Sequence, residues 1–244
     1  MNRYTHMPAV KRALDLVALV VLVPFAAPVA LLIAVAVFLD SPGPVIYRAV
    51  RIGMGGRAFE MLKFRTMREG VAGSAIAGAE DRRITPVGRF LRATRLDELP
   101  QLWNVLRGEM SFVGPRPELE EFVRLHSDDY REILAVPPGI TGPTQLRYAG
   151  VEARVLSRHE DPDAYYREQL LPDKVALDLA YARSTSPGED LAVLAKTVGL
   201  PAILTWQRVR GGASPTRSVA YAGVATMAIA ILPLAFALGV GSPR

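Results

Sequence analysis

Apolar and polar positions divide the 244-residue chain into a greasy beginning, a charged middle and a greasy end. Leu16 to Leu39 carries no charged residue and is mostly Val, Leu and Ala. At about 1.5 Å per residue a helix over it would run roughly 36 Å, enough to cross a bilayer. The run outlasts the roughly 7 to 15 residues of a signal-peptide core. It ends in Asp40-Ser41-Pro42-Gly43-Pro44 rather than a small-residue cleavage site, so a cleaved leader is disfavoured. Pro24 and Pro28 lack amide hydrogens, so the carbonyls of Val20 and Pro24 lose their helical donors in consecutive turns and a kink is expected at Pro24. Arg3, Lys11 and Arg12 precede the run, and Arg48, Arg51, Arg57 and Lys63 follow it, which places both ends on the cytoplasmic side. A re-entrant helix bent at Pro24 satisfies both ends, while an ordinary kinked spanning helix remains an equal alternative on these residues. Ser218 to Pro243, apolar from Val219 to Val240, is a second stretch long enough to span. Arg208, Arg210 and Arg217 before it put its N-terminal side in the cytoplasm.

Between these stretches charged residues return at ordinary density. Val45 to Tyr47 and Phe59 to Phe64 read as short strands around a turn at Gly53-Met54-Gly55-Gly56. That glycine cluster lacks the Lys-Ser/Thr of a P-loop. Helical patterns cover Arg89 to Leu106 with a break at Pro100, Glu118 to Leu134, and Asp173 to Tyr181. Asp190 to Val198 carries Leu191, Leu194, Ala195 and Val198 at helical spacing, suiting an amphipathic helix packed on the domain or, second, lying on a membrane. The expected fold is α+β, mainly helical and membrane-associated. Residues 1–40 form the N-terminal membrane helix, 41–206 a catalytic domain, and 207–244 a basic linker with an apolar segment.

Composition narrows the chemistry. There is no cysteine, which removes disulfides, thiolate catalysis and Cys-ligated zinc. A net charge of +5 suits nucleic acid, anionic lipid or phosphorylated substrates equally. No helix-turn-helix or aromatic-basic platform supports nucleic acid. His6, His126 and His159 stand isolated, without ligand spacing.

The chemistry-bearing segment is Arg92-Ala93-Thr94-Arg95-Leu96-Asp97-Glu98-Leu99-Pro100. Thr94 reads as a helix cap with Asp97 three positions later, and an acid pair alone there is an ordinary helix start. Arg92 and Arg95 change that reading, because they can hold phosphate oxygens beside two carboxylates. Adjacent helical side chains diverge by about 100°, so one acid can ligate a metal while the other faces the reacting atom. Mg²⁺ takes hard oxygen ligands, usually one or two carboxylates plus substrate phosphates, and an Asp can attack phosphorus. Downstream, Pro115-Arg116-Pro117 presents an arginine fork on a restricted backbone. Trp103 and Asn104 read as core packing and helix surface, with Trp103 alternatively near the membrane.

These residues carry a resemblance. Lys11-Arg12 with Asp15, Asp40-Ser41-Pro42-Gly43-Pro44-Val45, Lys63-Phe64-Arg65-Thr66-Met67, Leu96 to Leu106, Gly108 to Pro117 and Pro138-Gly139-Ile140-Thr141-Gly142 resemble the bacterial sugar transferase family of monotopic phosphoglycosyl transferases. The resemblance implies a re-entrant helix kinked at Pro24, with the catalytic domain on the cytoplasmic face of the bacterial inner membrane. It implies that Asp97 attacks the β-phosphate of a UDP-sugar and expels UMP, and that polyprenyl phosphate then attacks the aspartyl phosphosugar. Glu98 would ligate Mg²⁺, Arg116 would contact nucleotide or phosphate, and Lys63, Arg65 and Arg92 would contact phosphate. The partners are then a UDP-sugar, polyprenyl phosphate and membrane lipids, with a homodimer left open. The competing reading is a catalytically silent protein that binds a membrane surface through its basic patch. The chain departs from the family at Val23, where a Ser is common before the kinking proline, and at Pro143 to Tyr148.

Overall fold

A computed structural model describes residues 8–70, 81–149 and 151–197. The apolar stretch from Ser218 to Pro243 and the end of the Asp190 to Val198 pattern lie outside them. Helix α1 runs from Ala9–Asp40 with Pro24 and Pro28 inside it. It is long and apolar enough to cross a membrane, and its most apolar window is only 17% buried, so it is not the core helix of a soluble domain. Val20, Phe25, Leu31, Leu32, Phe38 and Leu39 are exposed along it. A soluble surface rarely tolerates an apolar face of that extent.

Both ends of α1 are fastened to one body. Near its start Lys11 pairs with Asp190 at 2.5 Å, Arg12 donates to the carbonyls of Val105 and Leu106, and Asp15 Oδ1 accepts from the Ser111 hydroxyl and the Phe112 amide. At its far end Arg65 donates to the carbonyls of Ser41 and Pro42. Leu19 and Leu22 from the first half, and Ile33 and Val37 from the second, enter the same core cluster. Residues Val23, Pro24 and Phe25 between them stay exposed.

The hairpin is longer than the sequence suggested. Strands β1 (Ile46–Ile52) and β2 (Ala58–Phe64) pair antiparallel, from Ile46 opposite Phe64 to Ile52 opposite Ala58, around the Gly53–Gly56 turn. Ala49 and Met61, directly opposite each other in the ladder, enter the core from one face, and Phe64 joins it at the end of β2. Helix α2 (Pro86–Thr94) and helix α3 (Gln101–Arg107) follow, contributing Leu91, Leu102 and Val105.

A second small sheet was not legible in the sequence. Strands β3 (Ser111–Val113) and β4 (Gly139–Thr141) pair in parallel. Three residues are too few to show a period of two. The pairing needs Gly114, since a Cβ there would collide with the Pro137 carbonyl. Between these strands the expected helix from Glu118 to Leu134 is two helices, α4 (Glu120–Leu125) and α5 (Ser127–Ile133). His126, at φ −126° and ψ 46°, breaks them.

Short helices α6 (Pro143–Tyr148), α7 (Glu152–Leu156) and α8 (Pro162–Tyr165) lead through a π-helical turn, Tyr166–Leu170, into α9 (Leu171–Ser184). Phe122, Tyr130, Ile133, Leu156, Leu171 and Val175 form a second apolar cluster beneath them. A final helix, α10, covers 187–197, and Val193 and Leu194 pack on the main core, so this helix docks on the domain.

Candidate active site

The acid pair sits in a tight turn between two helices. Helix α2 starts with Pro86 in its first turn and is capped by Thr85, whose hydroxyl accepts from the Gly88 amide at 2.9 Å. A Cβ on Gly88 would strike the Thr66 backbone, so this glycine lets α2 lie against the end of β2. Helix α2 ends at Arg95, the one described non-glycine residue in the left-handed region, with φ 61°. A 3₁₀ turn, Leu96–Glu98, follows, and Leu99 and Pro100 are already helical, leading into α3.

Two expectations are corrected here. The expected break at Pro100 is present, since Pro100 is the N-cap of α3, but the interruption starts earlier, at the left-handed Arg95. Thr94 does not cap the turn ahead of it; its hydroxyl donates back to the carbonyls of Phe90 and Leu91. Trp103 and Asn104 also exchange roles: Trp103 is 55% exposed and Asn104 is buried. Asn104 accepts from the Leu62 amide and donates to the Glu60 carbonyl, locking α3 to β2. That lock brings Lys63, the next residue but one along β2 from Met61, to the acid pair.

Glu98 is buried and surrounded by cations. Lys63 Nζ stands 3.1 Å from Oε1, Arg95 3.0 Å from Oε2, and Arg116 3.7 Å from Oε1. Burial alone would raise its pKa; Arg95, Lys63 and Arg116 overcome that and hold it at about 2. Asp97 has the opposite fate. Burial raises its pKa, the neighbouring Glu98 charge adds to the rise, and Lys63, Arg95 and Arg92 offset it only in part. No donor among the described residues reaches Asp97 Oδ1, although that atom is buried. Environments that push two adjacent acids apart mark different chemical roles.

Of the residues singled out from the sequence, Lys63, Asp97, Glu98 and Arg116 converge. Arg116 is set by the turn after β3, where its amide donates to Asp178 Oδ2 while Thr144 donates to Asp178 Oδ1. Burial pushes the Asp178 carboxyl up to about 7. Arg92 approaches Asp97 from α2, with its Nε donating to the Thr66 hydroxyl at 3.0 Å. Arg65 does not join them. Strand β2 ends at Phe64, so the alternation that keeps Lys63 on the site's side no longer governs Arg65. Its buried guanidinium turns to the Ser41 and Pro42 carbonyls. Arg95 is the cation that the motifs underweighted; its i, i+3 spacing to Glu98 was the available signal.

The donor set fits a divalent cation. Asp97 offers a buried, unpartnered carboxylate oxygen and Glu98 a second carboxylate. Hard cations such as Mg²⁺ use one or two such groups together with substrate phosphates. Directly at the acid pair, Lys63, Arg92, Arg95 and Arg116 outnumber the two carboxylates. Arginines and a lysine set among carboxylates are the groups that handle phosphate oxygens.

The sequence profile of the bacterial sugar transferase family matches residues 6–202, and the chain belongs to that family. It is 40% identical over 202 residues to the UDP-glucose:undecaprenyl-phosphate glucose-1-phosphate transferase of Caulobacter vibrioides, covering 80% of this chain and 70% of that one. It is 39% identical over 197 residues to the Escherichia coli protein of the same name, covering 77% of this chain and 39% of the relative. Against the UDP-N-acetylgalactosamine-undecaprenyl-phosphate N-acetylgalactosaminephosphotransferase of Aeromonas hydrophila it is 42% identical over 144 residues, 56% of this chain and 34% of the other. The chain therefore spans well under half the length of the last two relatives.

Proposed function

We propose that this chain moves a sugar 1-phosphate from a UDP-sugar to undecaprenyl phosphate, or a polyprenyl phosphate like it, through a covalent intermediate on Asp97. The observation that carries the reading is the contrast between the acids: Asp97 keeps a buried oxygen with no donor, while Glu98 gathers three cations. A carboxylate oxygen without a partner has a lone pair free for phosphorus.

In the first half-reaction an Asp97 oxygen bonds to the β-phosphorus, and the bond from that phosphorus to the bridging oxygen breaks. UMP leaves with the bridging oxygen and the electron pair, next to Lys63, Arg95 and Arg116, which bear the charge it acquires. In the second half-reaction an oxygen of the lipid phosphate bonds to the same phosphorus, the aspartyl bond breaks, and the Asp97 carboxylate is restored. A bound Mg²⁺, held by Glu98, would supply charge neutralisation at the phosphates. The step would open glycan assembly on the membrane.

The membrane side of the proposal rests on α1. A straight spanning helix would put one end across roughly 30 Å of hydrocarbon from the other. Here Asp15 and Ser41 are both tied to the catalytic body, and Pro24 stands in the exposed middle. We therefore take α1 as re-entrant, with both ends and the active site at the cytoplasmic face of the inner membrane.

Purified protein given Mg²⁺, undecaprenyl phosphate and UDP-glucose, UDP-N-acetylgalactosamine or UDP-galactose should release UMP with one of these donors. Asp97→Asn should lower that release by roughly a thousandfold or more, as loss of a nucleophile does. Full turnover in Asp97→Asn would remove the nucleophile assignment.

A further inference from the structure

We infer that Glu98 acts in the substrate-free enzyme as a built-in anion that holds Lys63, Arg95 and Arg116 ready for phosphate. The donor's diphosphate then takes these cations over, and the metal enters with the nucleotide rather than before it. The inference deepens the proposed function and rests on its assignment of a UDP-sugar as donor.

The argument begins with what each cation touches. Lys63 and Arg116 reach Glu98 Oε1 and Arg95 reaches Oε2, so both oxygens of this acid are engaged. The Glu98 side chain is 5% exposed, that of Lys63 18% and that of Arg116 25%, whereas Arg95 is 40% exposed. At the acid pair itself Lys63, Arg92, Arg95 and Arg116 outnumber Asp97 and Glu98, while Glu152 and Glu118 face Arg116 from its other side. Such a cluster repels a free dication and attracts a phosphate.

A metal arriving alone would have to strip Glu98 of its partners with nothing to receive them, leaving buried cations unpaired. A diphosphate changes the exchange. Its anionic oxygens accept the guanidinium and ammonium donors in the geometry that carboxylates use, and Arg binds phosphate and carboxylate alike as a planar fork. Once the cations have moved, Glu98 faces the diphosphate as a bare carboxylate, and a carboxylate beside phosphate oxygens is the donor set a hard cation takes.

Arg95 is the residue best placed to swing. It is the most exposed of the three, and its left-handed backbone starts the turn that carries both acids. The exchange makes Arg95 a substrate-binding residue alongside Lys63 and Arg116.

Calorimetry on the detergent-purified protein tests this with Mg²⁺ alone, UDP and inorganic pyrophosphate, each anion with and without Mg²⁺. Wild type should give no binding heat with millimolar Mg²⁺ alone, and should bind UDP more tightly when Mg²⁺ is present. Glu98→Gln, of the same shape, should bind UDP and pyrophosphate without metal about tenfold more tightly than wild type, since the competing anion is gone. The Mg²⁺-dependent gain should shrink in that variant. Arg95→Gly suits the left-handed backbone, so it should melt no lower than wild type by more than the lost ion pair allows, yet bind metal-free pyrophosphate about tenfold more weakly.

Mg²⁺ binding to wild type as tightly without UDP as with it would overturn the inference, as would a Glu98→Gln variant with no gain in metal-free pyrophosphate affinity. If Glu98→Gln gains pyrophosphate affinity but no form of the protein binds UDP, the exchange stands and the nucleotide-sugar reading falls. If UDP binds throughout but Glu98→Gln gains nothing, the exchange falls and the nucleotide-sugar reading stands.

Discussion

Asp97 and Glu98 are neighbours in the chain, yet their surroundings drive their protonation in opposite directions, and a pH profile should report the split. In the proposed reaction Asp97 attacks phosphorus as a carboxylate, and burial raises its pKa. Activity should therefore be lost as pH falls through a value above that of an ordinary aspartate. Glu98, held at about 2, stays charged throughout that fall. The acid limb of kcat/KM for UMP release should include Asp97, and Asp178→Asn separates it from Asp178; a limb at or below the ordinary aspartate value in that variant would contradict the assignment. The stability signs also differ. Glu98, whose folded pKa is depressed, contributes stability above its unfolded value that is lost as pH falls toward about 2. Asp178, raised to about 7, is favoured in its protonated form, so its contribution declines as pH rises toward that value. At this scale the sequence named both acids and their basic neighbours. It could not divide the cations between them, because that division depends on β2 and the turn after β3 meeting the acid pair.

At the scale of elements, Arg65 shows how a motif residue serves the site without touching it. Its guanidinium joins the end of α1 to the end of β2 through two backbone carbonyls. Arg65→Met keeps the length and removes the donors, leaving the Ser41 and Pro42 carbonyls short of partners at a cost of about 2–3 kcal/mol. A chemical melt should show that loss, while UDP affinity measured on the folded protein stays near wild type. A large drop in affinity would return Arg65 to the phosphate contacts. The hairpin and α9 were legible because alternation and helical spacing persist over enough residues to be read. Strands β3 and β4 were not, since three residues carry no period and their parallel partners are far apart in the chain.

For the whole molecule, α1 decides how the acid pair would meet the lipid phosphate proposed as its acceptor. Its two halves share one core cluster with the hairpin and with α2, α3 and β3, so the apolar helix and the catalytic body form one packing unit. Single cysteines in this cysteine-free chain can test its topology. Val10→Cys and Arg48→Cys, both at exposed positions flanking the apolar run, should react with an impermeant reagent from the same face of inner-membrane vesicles. Labelling from opposite faces would mean that α1 spans the membrane.

By itself the sequence determined the apolar helix with its two prolines, the hairpin, the acid pair and the supply of cations near it. Each is written in consecutive residues, where hydrophobic period and local charge act over a turn or two. Only the tertiary structure decided that Arg95, rather than Arg65, stands beside Lys63 and Arg116, that Asn104 rather than Trp103 is buried, and that both ends of α1 return to one body. Those outcomes depend on contacts between residues dozens of positions apart, such as Asp15 with Ser111 and Lys63 with Glu98. Burial and ion pairing across such contacts set the orientation and charge state of each group, and no local pattern encodes them.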